Sequence, residues 1–385
     1  MYKKNIVLEY FHTFTRSFNI TAVMWMLYLA AKGFSLFQIG LFEGIFHLTS
    51  MTMEIPTGAI ADIYGRKISR ILGVFLNMFH LLILAFSNNF WVIGLGFVFC
   101  ALSYTLESGA GDALVYDSLL EDKNEKQFVK VNGRKEIIFQ VSSMLAAVVG
   151  GYIASINHSL VFKVMLGITI ISLVLLSFLK ETTIDKHPDG IKAKSKDQYV
   201  DSFKYVLNNR KLILFIVVGN LLAFPVTVLF FYSQNYYIYL GYTEFHIGIF
   251  MGLFALSAVV GAWISTKIHI KEVYLFTIIP IIMIALIWAY LTPYSWIAFA
   301  LLGAFESIMY IVILNHINHM IPSNKRATIL SISSMMFSLM MILVFPLVGL
   351  LSDLYSFKVG FTFNASIVTL AYIVYLIKFR QFNEE

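Results

Sequence analysis

Long apolar runs recur along the whole chain, and they constrain its fold more than any other feature. Each run is long enough to cross a bilayer as a helix, which needs about 20 apolar residues. The twelve runs cover residues 5–30, 36–61, 69–88, 91–119, 128–155, 158–179, 210–240, 243–266, 273–291, 294–320, 327–351 and 357–378. Only 13% of the residues are charged, against about a quarter in soluble domains. The sequence therefore predicts an all-α integral membrane protein with twelve transmembrane helices.

The distribution of basic residues predicts the orientation in the membrane. With both termini in the cytoplasm, all but four of the 28 Lys and Arg residues fall on cytoplasmic loops or helix ends, as the positive-inside rule requires. The exceptions are Arg16 within the first run and Lys32, Lys163 and Lys358 at the outer side. We therefore predict a multi-pass membrane protein with both termini cytoplasmic.

The chain also contains an internal repeat. Gly33, Phe37, Ile39, Gly40, Phe42 and Gly44 recur as Gly241, Phe245, Ile247, Gly248, Phe250 and Gly252, at a constant offset of 208 residues. Each copy opens the second helix of its half, which is typical of two parallel halves related by an axis along the membrane normal. We predict a six-helix half at 1–180, a cytoplasmic linker at 181–209 and a six-helix half at 210–385.

A short basic motif lies between the second and third runs. The chain there reads Gly58-Ala-Ile-Ala-Asp62-Ile-Tyr-Gly65-Arg66-Lys67. A helix must end here and the chain must turn back into the membrane, so Gly65 is expected to have a positive φ. Arg66, Lys67 and Arg70 put three positive charges in this loop, which marks it as cytoplasmic. Asp62 is expected to pair with these cations or with the start of a neighbouring helix.

The spacing G-x-x-x-D-x-x-G-R-K resembles the loop 2–3 signature of the major facilitator superfamily, as in bacterial drug exporters and sugar–proton symporters. One position departs from it, Ile63, where family members often carry a basic residue. Drug antiporters of this superfamily also show a G-P-x-x-G-G element in the fifth span, of which this chain keeps only Gly150-Gly151. The resemblance implies alternating access and a gating role for Gly58, Asp62, Gly65, Arg66 and Lys67, with Asp117 as their charge partner.

The resemblance also implies that spans 1, 4, 7 and 10 line the central cavity. Ionisable side chains on such spans are costly and usually functional. Span 1 carries Asn5, Glu9, His12, Arg16 and Asn19 at helical spacing, so these side chains are expected to share one face. The candidates for substrate binding and proton coupling are Arg16, His12, Glu43, Glu107, Glu306 and Tyr310.

Two interpretations of these candidates are open. Desolvation at membrane depth favours the neutral form of Glu107 or Glu306, whereas a nearby Arg16 favours the carboxylate. Movement of Arg16 relative to either acid would then bind or release a proton. Alternatively, Arg16 forms a permanent structural pair, and whether its partner is Glu107 or Glu306 is not determined by the sequence.

The sequence contains no pattern of a soluble enzyme. It has neither a G-x-x-x-x-G-K-[ST] phosphate loop nor a Cys/His metal spacing, so we predict no catalytic residues, no cofactor and no metal. Nucleic acid is not expected as a partner, because the basic residues are confined to short loops. The expected partners are a small-molecule substrate, protons and membrane lipid, and the protein is predicted to be a monomer.

The predicted function is secondary active transport of a small amphipathic molecule across a bacterial plasma membrane by alternating access, as proton-coupled efflux. The first alternative has the same fold but the opposite direction of transport: a proton-coupled or facilitative importer of a small nutrient. A second alternative is a receptor or immunity protein that does not transport, against which the intact loop motif argues. The substrate, the direction and the coupling ion are not determined by the sequence.

Overall fold

The computed structural model describes residues 3–182, 203–267, 277–292, 295–322 and 326–382, and these ranges are dominated by α-helix. The helices are α1 (Lys3–Ser17), α2 (Trp25–Ala31), α3 (Leu36–Tyr64), α4 (Arg66–Phe86), α5 (Phe90–Glu107), α6 (Ala110–Glu121), α7 (Phe128–Ile156), α8 (His158–Ser177), α9 (Arg210–Tyr239), α10 (Glu244–Lys267), α11 (Ile278–Ala289), α12 (Ser295–Met320), α13 (Arg326–Leu354) and α14 (Phe357–Phe382). They follow the twelve predicted runs in order.

Nine helical segments among the described residues are long and apolar enough to cross a membrane. They correspond to the predicted runs 3 to 8 and 10 to 12. The other three runs are helical but differ in character. The first is split between α1 and α2, α3 carries polar side chains such as Glu43 and His47, and α11 is described over only 12 residues.

The first span is not the single helix that the apolar run predicts. Helix α1 ends at Ser17 and α2 begins at Trp25, with a non-helical segment between them. Asn19 lies in this segment, where its side-chain oxygen accepts hydrogen bonds from the backbone N–H and the hydroxyl of Thr21, at 3.1 and 2.6 Å. Such local side-chain bonds compete with the helix. The expectation that Asn19 continues the polar face of α1 is therefore wrong.

The fourth span is also divided, at Ser108–Gly109. Gly109 has a φ of +73°, a left-handed conformation that costs other residues free energy. Helix α5 therefore ends at Glu107, and α6 begins at Ala110. The break leaves Glu107 in the last turn of a helix that is otherwise strongly apolar.

The described contacts group the chain into two compact units. The first unit contains Met1–Gly33, Leu41–Ala193 and Thr243–Ile249, and the second contains Phe34–Gly40, Lys194–Tyr242 and Phe250–Glu385. The proposed domain boundaries at 180 and 210 stay a prediction, and most of the predicted linker lies outside the described residues.

Each unit has its own apolar interior. In the first unit Val74, Leu114, Leu176 and Leu179 pack together. In the second unit the interior is aromatic, and the buried hydroxyl of Tyr290 lies 2.7 Å from that of Ser233.

The backbone repeats the pattern that the sequence repeats. Gly33 and Gly241 both have positive φ, at +92° and +88°. Helices α3 and α10 begin three residues after these glycines, at Leu36 and Glu244. The correspondence at the offset of 208 residues therefore extends to conformation.

Candidate functional site

A group of charged and imidazole side chains, most of them buried, lies in the first unit, and we call it the ionic cluster. Its members are Glu9, His12, Arg16, Arg70, Glu107, Asp112 and Lys135, contributed by α1, α4, α5, α6 and α7. Burying charges is costly unless they are paired, and each member has an oppositely charged or imidazole neighbour within 3.5 Å.

Helix α1 presents three members of the cluster on one face. Glu9, His12 and Arg16 are three and four residues apart, which places them one above the other along a helix. The predicted polar face of span 1 is present for these side chains. Asn5, one turn before Glu9, donates to the hydroxyl of Ser118 at 3.0 Å and to the backbone carbonyl of Lys180 at 2.8 Å.

Glu107 contacts three other members of the ionic cluster. Its side chain is 3% exposed, and the Arg16 guanidinium donates to its Oε2 through Nη1 at 3.1 Å. The Nε2 atom of His12 lies 3.3 Å from its Oε1, and the Nε atom of Arg70 lies 3.5 Å from its Oε2. The question left open by the sequence is thereby answered, because the structure pairs Arg16 with Glu107.

Arg70 was expected in the basic loop, and this expectation is wrong. It lies inside α4, one turn after Arg66, with its side chain 1% exposed. Its guanidinium holds both carboxylate oxygens of Glu9, at 2.6 and 3.3 Å. This two-pronged geometry is the strong form of an Arg–carboxylate pair. The available signal was its position, since residue 70 falls within the third apolar run.

Lys135 is a second member that the sequence reasoning missed. From α7 its ammonium nitrogen lies 3.2 Å from Oε1 of Glu9 and 2.6 Å from Oδ1 of Asp112. Asp112 is 64% exposed, whereas Glu9 is 4% exposed. Lys135 thus joins the buried part of the cluster to its open side.

Ser172 of α8 completes the surroundings of His12. The serine Oγ lies 2.7 Å from Nδ1 of His12, and both residues are buried. Because a carboxylate only accepts hydrogen bonds, Nε2 carries the proton that faces Glu107. In the neutral imidazole, Nδ1 then accepts the hydrogen bond of the serine hydroxyl.

Two glycines make room for the cluster. A Cβ atom on Gly73 would lie 3.1 Å from Cγ of Glu107, and one on Gly111 would lie 3.4 Å from the central guanidinium carbon of Arg70. At Gly73 this approach is closer than an ordinary contact, so a larger residue would push Glu107 aside, whereas at Gly111 it is an ordinary van der Waals contact. The packing of α4 against Glu107 therefore depends on a small residue at position 73.

The gating motif has the predicted turn. Gly65 has a φ of +102° between α3 and α4, as expected. The carboxylate of Glu181 accepts hydrogen bonds from the backbone N–H groups of Arg66 and Lys67, at 3.1 and 2.8 Å. The sequence reasoning did not identify Glu181, which supplies the acidic partner that the start of a helix favours.

The charges of the motif are only partly paired as expected. The Arg66 guanidinium contacts the carboxylate of Asp117, one of the pairs that the sequence indicated. Gly58 and Asp62 lie exposed in α3, and within the described ranges Asp62 makes no ion pair. The expectation that Asp62 pairs with the loop cations or with a helix start is not met in this structure.

The other candidates are not members of the ionic cluster. Glu43 is buried in the first unit, with Nε2 of His47 one turn away at 3.5 Å. In the second unit Glu306 is half-buried and Tyr310, one turn later, is 67% exposed. Among the described residues Glu306 has no ion pair. No group of His, Cys, Asp and Glu that could hold a metal ion occurs in the described part of the chain.

Comparisons with known proteins agree with this architecture. The family model of the Major Facilitator Superfamily matches residues 8–301 and 292–384. The uncharacterized MFS-type transporter YxaM of Bacillus subtilis (strain 168) is 24% identical over 369 residues, which cover 93% of this chain and 92% of that protein.

Solved structures of transporters share this fold. The nucleoside transporter NupG superposes with a TM-score of 0.75 at 13% identity, over 98% of this chain and 98% of that one. The D-xylose-proton symporter gives a TM-score of 0.70 at 11% identity, over 97% and 96%. With a family model that spans nearly the whole sequence, the chain belongs to the major facilitator superfamily and is a transporter rather than an enzyme.

Proposed function

We propose that this protein is a proton-coupled secondary transporter that moves a small amphipathic molecule across the bacterial plasma membrane by alternating access. The observation that carries the proposal is that His12 and Arg16 both contact the buried carboxylate of Glu107. Imidazole is the side chain whose charge changes near neutral pH. A guanidinium that can leave the same carboxylate provides the second partner that coupling requires.

Two modes of proton coupling are compatible with the ionisable side chains described above. Efflux in exchange for protons, the mode expected from the sequence, needs a substrate that competes with a proton for a carboxylate. Glu306, half-buried and without an ion pair among the described residues, is the acid best suited to that role. The resemblance to drug exporters that suggested this mode rests on the loop motif alone.

Symport is the second candidate, and the exposure of the charges favours it. At the centre of the ionic cluster the accessible group is Arg16, with 44% of its side chain exposed, while Glu107 is 3% exposed. A substrate therefore meets a cation before it meets the carboxylate. One of the structural neighbours is a D-xylose-proton symporter, so proton symport is compatible with this fold.

Reconstitution into lipid vesicles tests the proposal. A pH gradient is imposed, and the accumulation of lipophilic cations, neutral drugs and organic anions is measured. At least one compound should accumulate with the gradient, and Glu107→Gln should abolish this while exchange without a gradient persists. Glu125→Gln, an exposed carboxylate outside the cluster, is the matched control. Accumulation that is equal with and without the gradient would contradict proton coupling, and its direction separates efflux from symport.

A further inference from the structure

Arg16 has unused hydrogen-bond donors at the centre of the ionic cluster. A guanidinium carries five N–H groups in a planar fork. The pair with Glu107 uses Nη1, and in the described part of the chain Nε and Nη2 have no partner. Arg16 also lies in the last turn of α1, next to its final residue Ser17. The guanidinium is therefore held by Glu107 through Nη1, while its Nε and Nη2 donors are available to a ligand.

The depth of Arg16 in the membrane indicates what its unpartnered N–H donors face. It lies eleven residues into the first apolar run, about 17 Å along a helix at 1.5 Å per residue. A charged side chain at such depth faces a bundle interior or a water-filled path rather than lipid. A planar fork of free donors in that position matches the paired oxygens of a carboxylate, sulfonate or phosphate.

The charges around His12 balance while its ring is neutral. The ring itself contacts Glu107 on α5 and the uncharged Ser172 on α8. The other charged groups of the ionic cluster are Glu9 and Arg16 on α1, Arg70 on α4, Asp112 on α6 and Lys135 on α7. Three carboxylates thus oppose three permanent cations. If Arg16 leaves Glu107, one negative charge is left uncompensated, and a proton on His12 restores the balance.

Ser172 permits this change of protonation. A hydroxyl group can donate to a neutral Nδ1 or accept from a protonated one, so the contact of 2.7 Å persists in both states. The proton comes from hydronium in the surrounding water: one O–H bond of hydronium breaks, an N–H bond forms at Nδ1, and neutral water is left. Nε2 keeps its hydrogen bond to Glu107, and the substrate is chemically unchanged.

We propose that Arg16 binds the anionic group of the substrate, and that its release from Glu107 places a proton on His12, so that an organic anion and a proton are carried together. This inference rests on the proposed function and deepens it. It identifies the substrate class as organic anions, names His12 as the proton carrier of the cluster, and makes Ser172 a positioning residue.

Proton uptake on binding tests the inference with the purified full-length protein. The probe is naphthalene-1-sulfonate, which stays ionised, and its neutral counterpart is naphthalene-1-sulfonamide. In weakly buffered solution with a pH indicator, the unmodified protein should take up about one proton per bound sulfonate and none with the sulfonamide. Arg16→Gln should lose sulfonate binding.

The variants at His12 and Ser172 separate coupling from folding. In His12→Gln the number of protons taken up per bound sulfonate should fall to zero, and in Ser172→Ala it should be reduced. The matched control is His80→Gln. His80 is also buried in the first unit, but its Nδ1 lies 2.9 Å from the backbone carbonyl of Gly96 rather than near a carboxylate. This control should keep both binding and uptake.

The inference is overturned if the unmodified protein binds the sulfonate without proton uptake, if His12→Gln takes up the same proton, or if the sulfonamide binds equally well. Failure of the proposed function gives a different result. In that case no compound accumulates with a pH gradient in vesicles, even if the sulfonate binds with a proton. Gradient-driven transport of cations or neutral drugs without sulfonate-linked uptake would leave the proposed function standing and remove the inference.

Discussion

Replacing Arg70 should destabilise the first unit more than replacing any exposed basic residue. Arg70→Gln leaves Glu9 and Glu107 buried with fewer cations, and breaking a buried pair from one side costs about 3–5 kcal/mol. The melting temperature of the detergent-purified protein should therefore fall clearly. The double variant Glu9→Gln/Arg70→Gln should recover part of the loss, because it removes an uncompensated charge.

The matched control for Arg70 is Arg66→Gln. Arg66 contacts Asp117 at a partly exposed site, where its side chain is 27% exposed, and such pairs are worth about 1 kcal/mol or less. If Arg66→Gln lowered the melting temperature as much as Arg70→Gln, the cluster would not be the structural centre of the unit.

At the scale of residues, the sequence indicated Glu9, His12, Arg16 and Glu107 but did not identify Arg70, Lys135 and Ser172 as their neighbours. Glu9, His12 and Arg16 follow a helical period within one run, so a local pattern reveals them. Their partners are distant in the chain, since Arg70 is 61 residues from Glu9 and Ser172 is 160 residues from His12. Nothing in a local pattern specifies which helices pack together, so these contacts require the fold.

Gly109 is expected to control the position of Glu107 at the scale of elements. An added Cβ would meet nothing within 4 Å, so Gly109→Ala tests backbone conformation alone. A left-handed alanine costs about 1–2 kcal/mol, and we expect both a lower melting temperature and slower transport. Gly167→Ala in α8 also meets nothing within 4 Å but has an ordinary helical backbone, so it should be neutral or stabilising. Equal effects of the two variants would contradict the role of the break.

Glu181 and Asp62 are predicted to have separable roles around the start of α4. Glu181→Gln weakens two hydrogen bonds to backbone N–H groups and should lower stability by about 1 kcal/mol, measured as a lower melting temperature. Asp62→Asn should leave the melting temperature unchanged, because Asp62 is exposed and unpaired among the described residues. It should instead reduce turnover in vesicles, as the gating role implied by the motif requires. Normal turnover in Asp62→Asn would show that the motif does not gate this protein.

Helices and turns were predictable where hydropathy or a single glycine determines them. They were not predictable where side-chain hydrogen bonds compete with the hydropathy pattern. The turn at Gly65 and the order of the helices follow from apolar run length and a single glycine. The break between α1 and α2 does not, because residues 18–24 are apolar enough to continue a span. Their departure from the helix depends on the Asn19–Thr21 contacts, which a hydropathy pattern does not register.

The topology of the whole molecule yields the last prediction. Asn88 lies between α4 and α5, and Lys126 lies in the 3-10 turn Glu125–Gln127 before α7. The fourth span, 32 residues long, separates them, so they must lie on opposite sides of the membrane. In a Cys100→Ala background, a membrane-impermeant maleimide should label Asn88→Cys in intact cells, and Lys126→Cys only after the cells are opened. Labelling of Lys126→Cys in intact cells, with Asn88→Cys protected, would reverse the predicted cytoplasmic location of both termini.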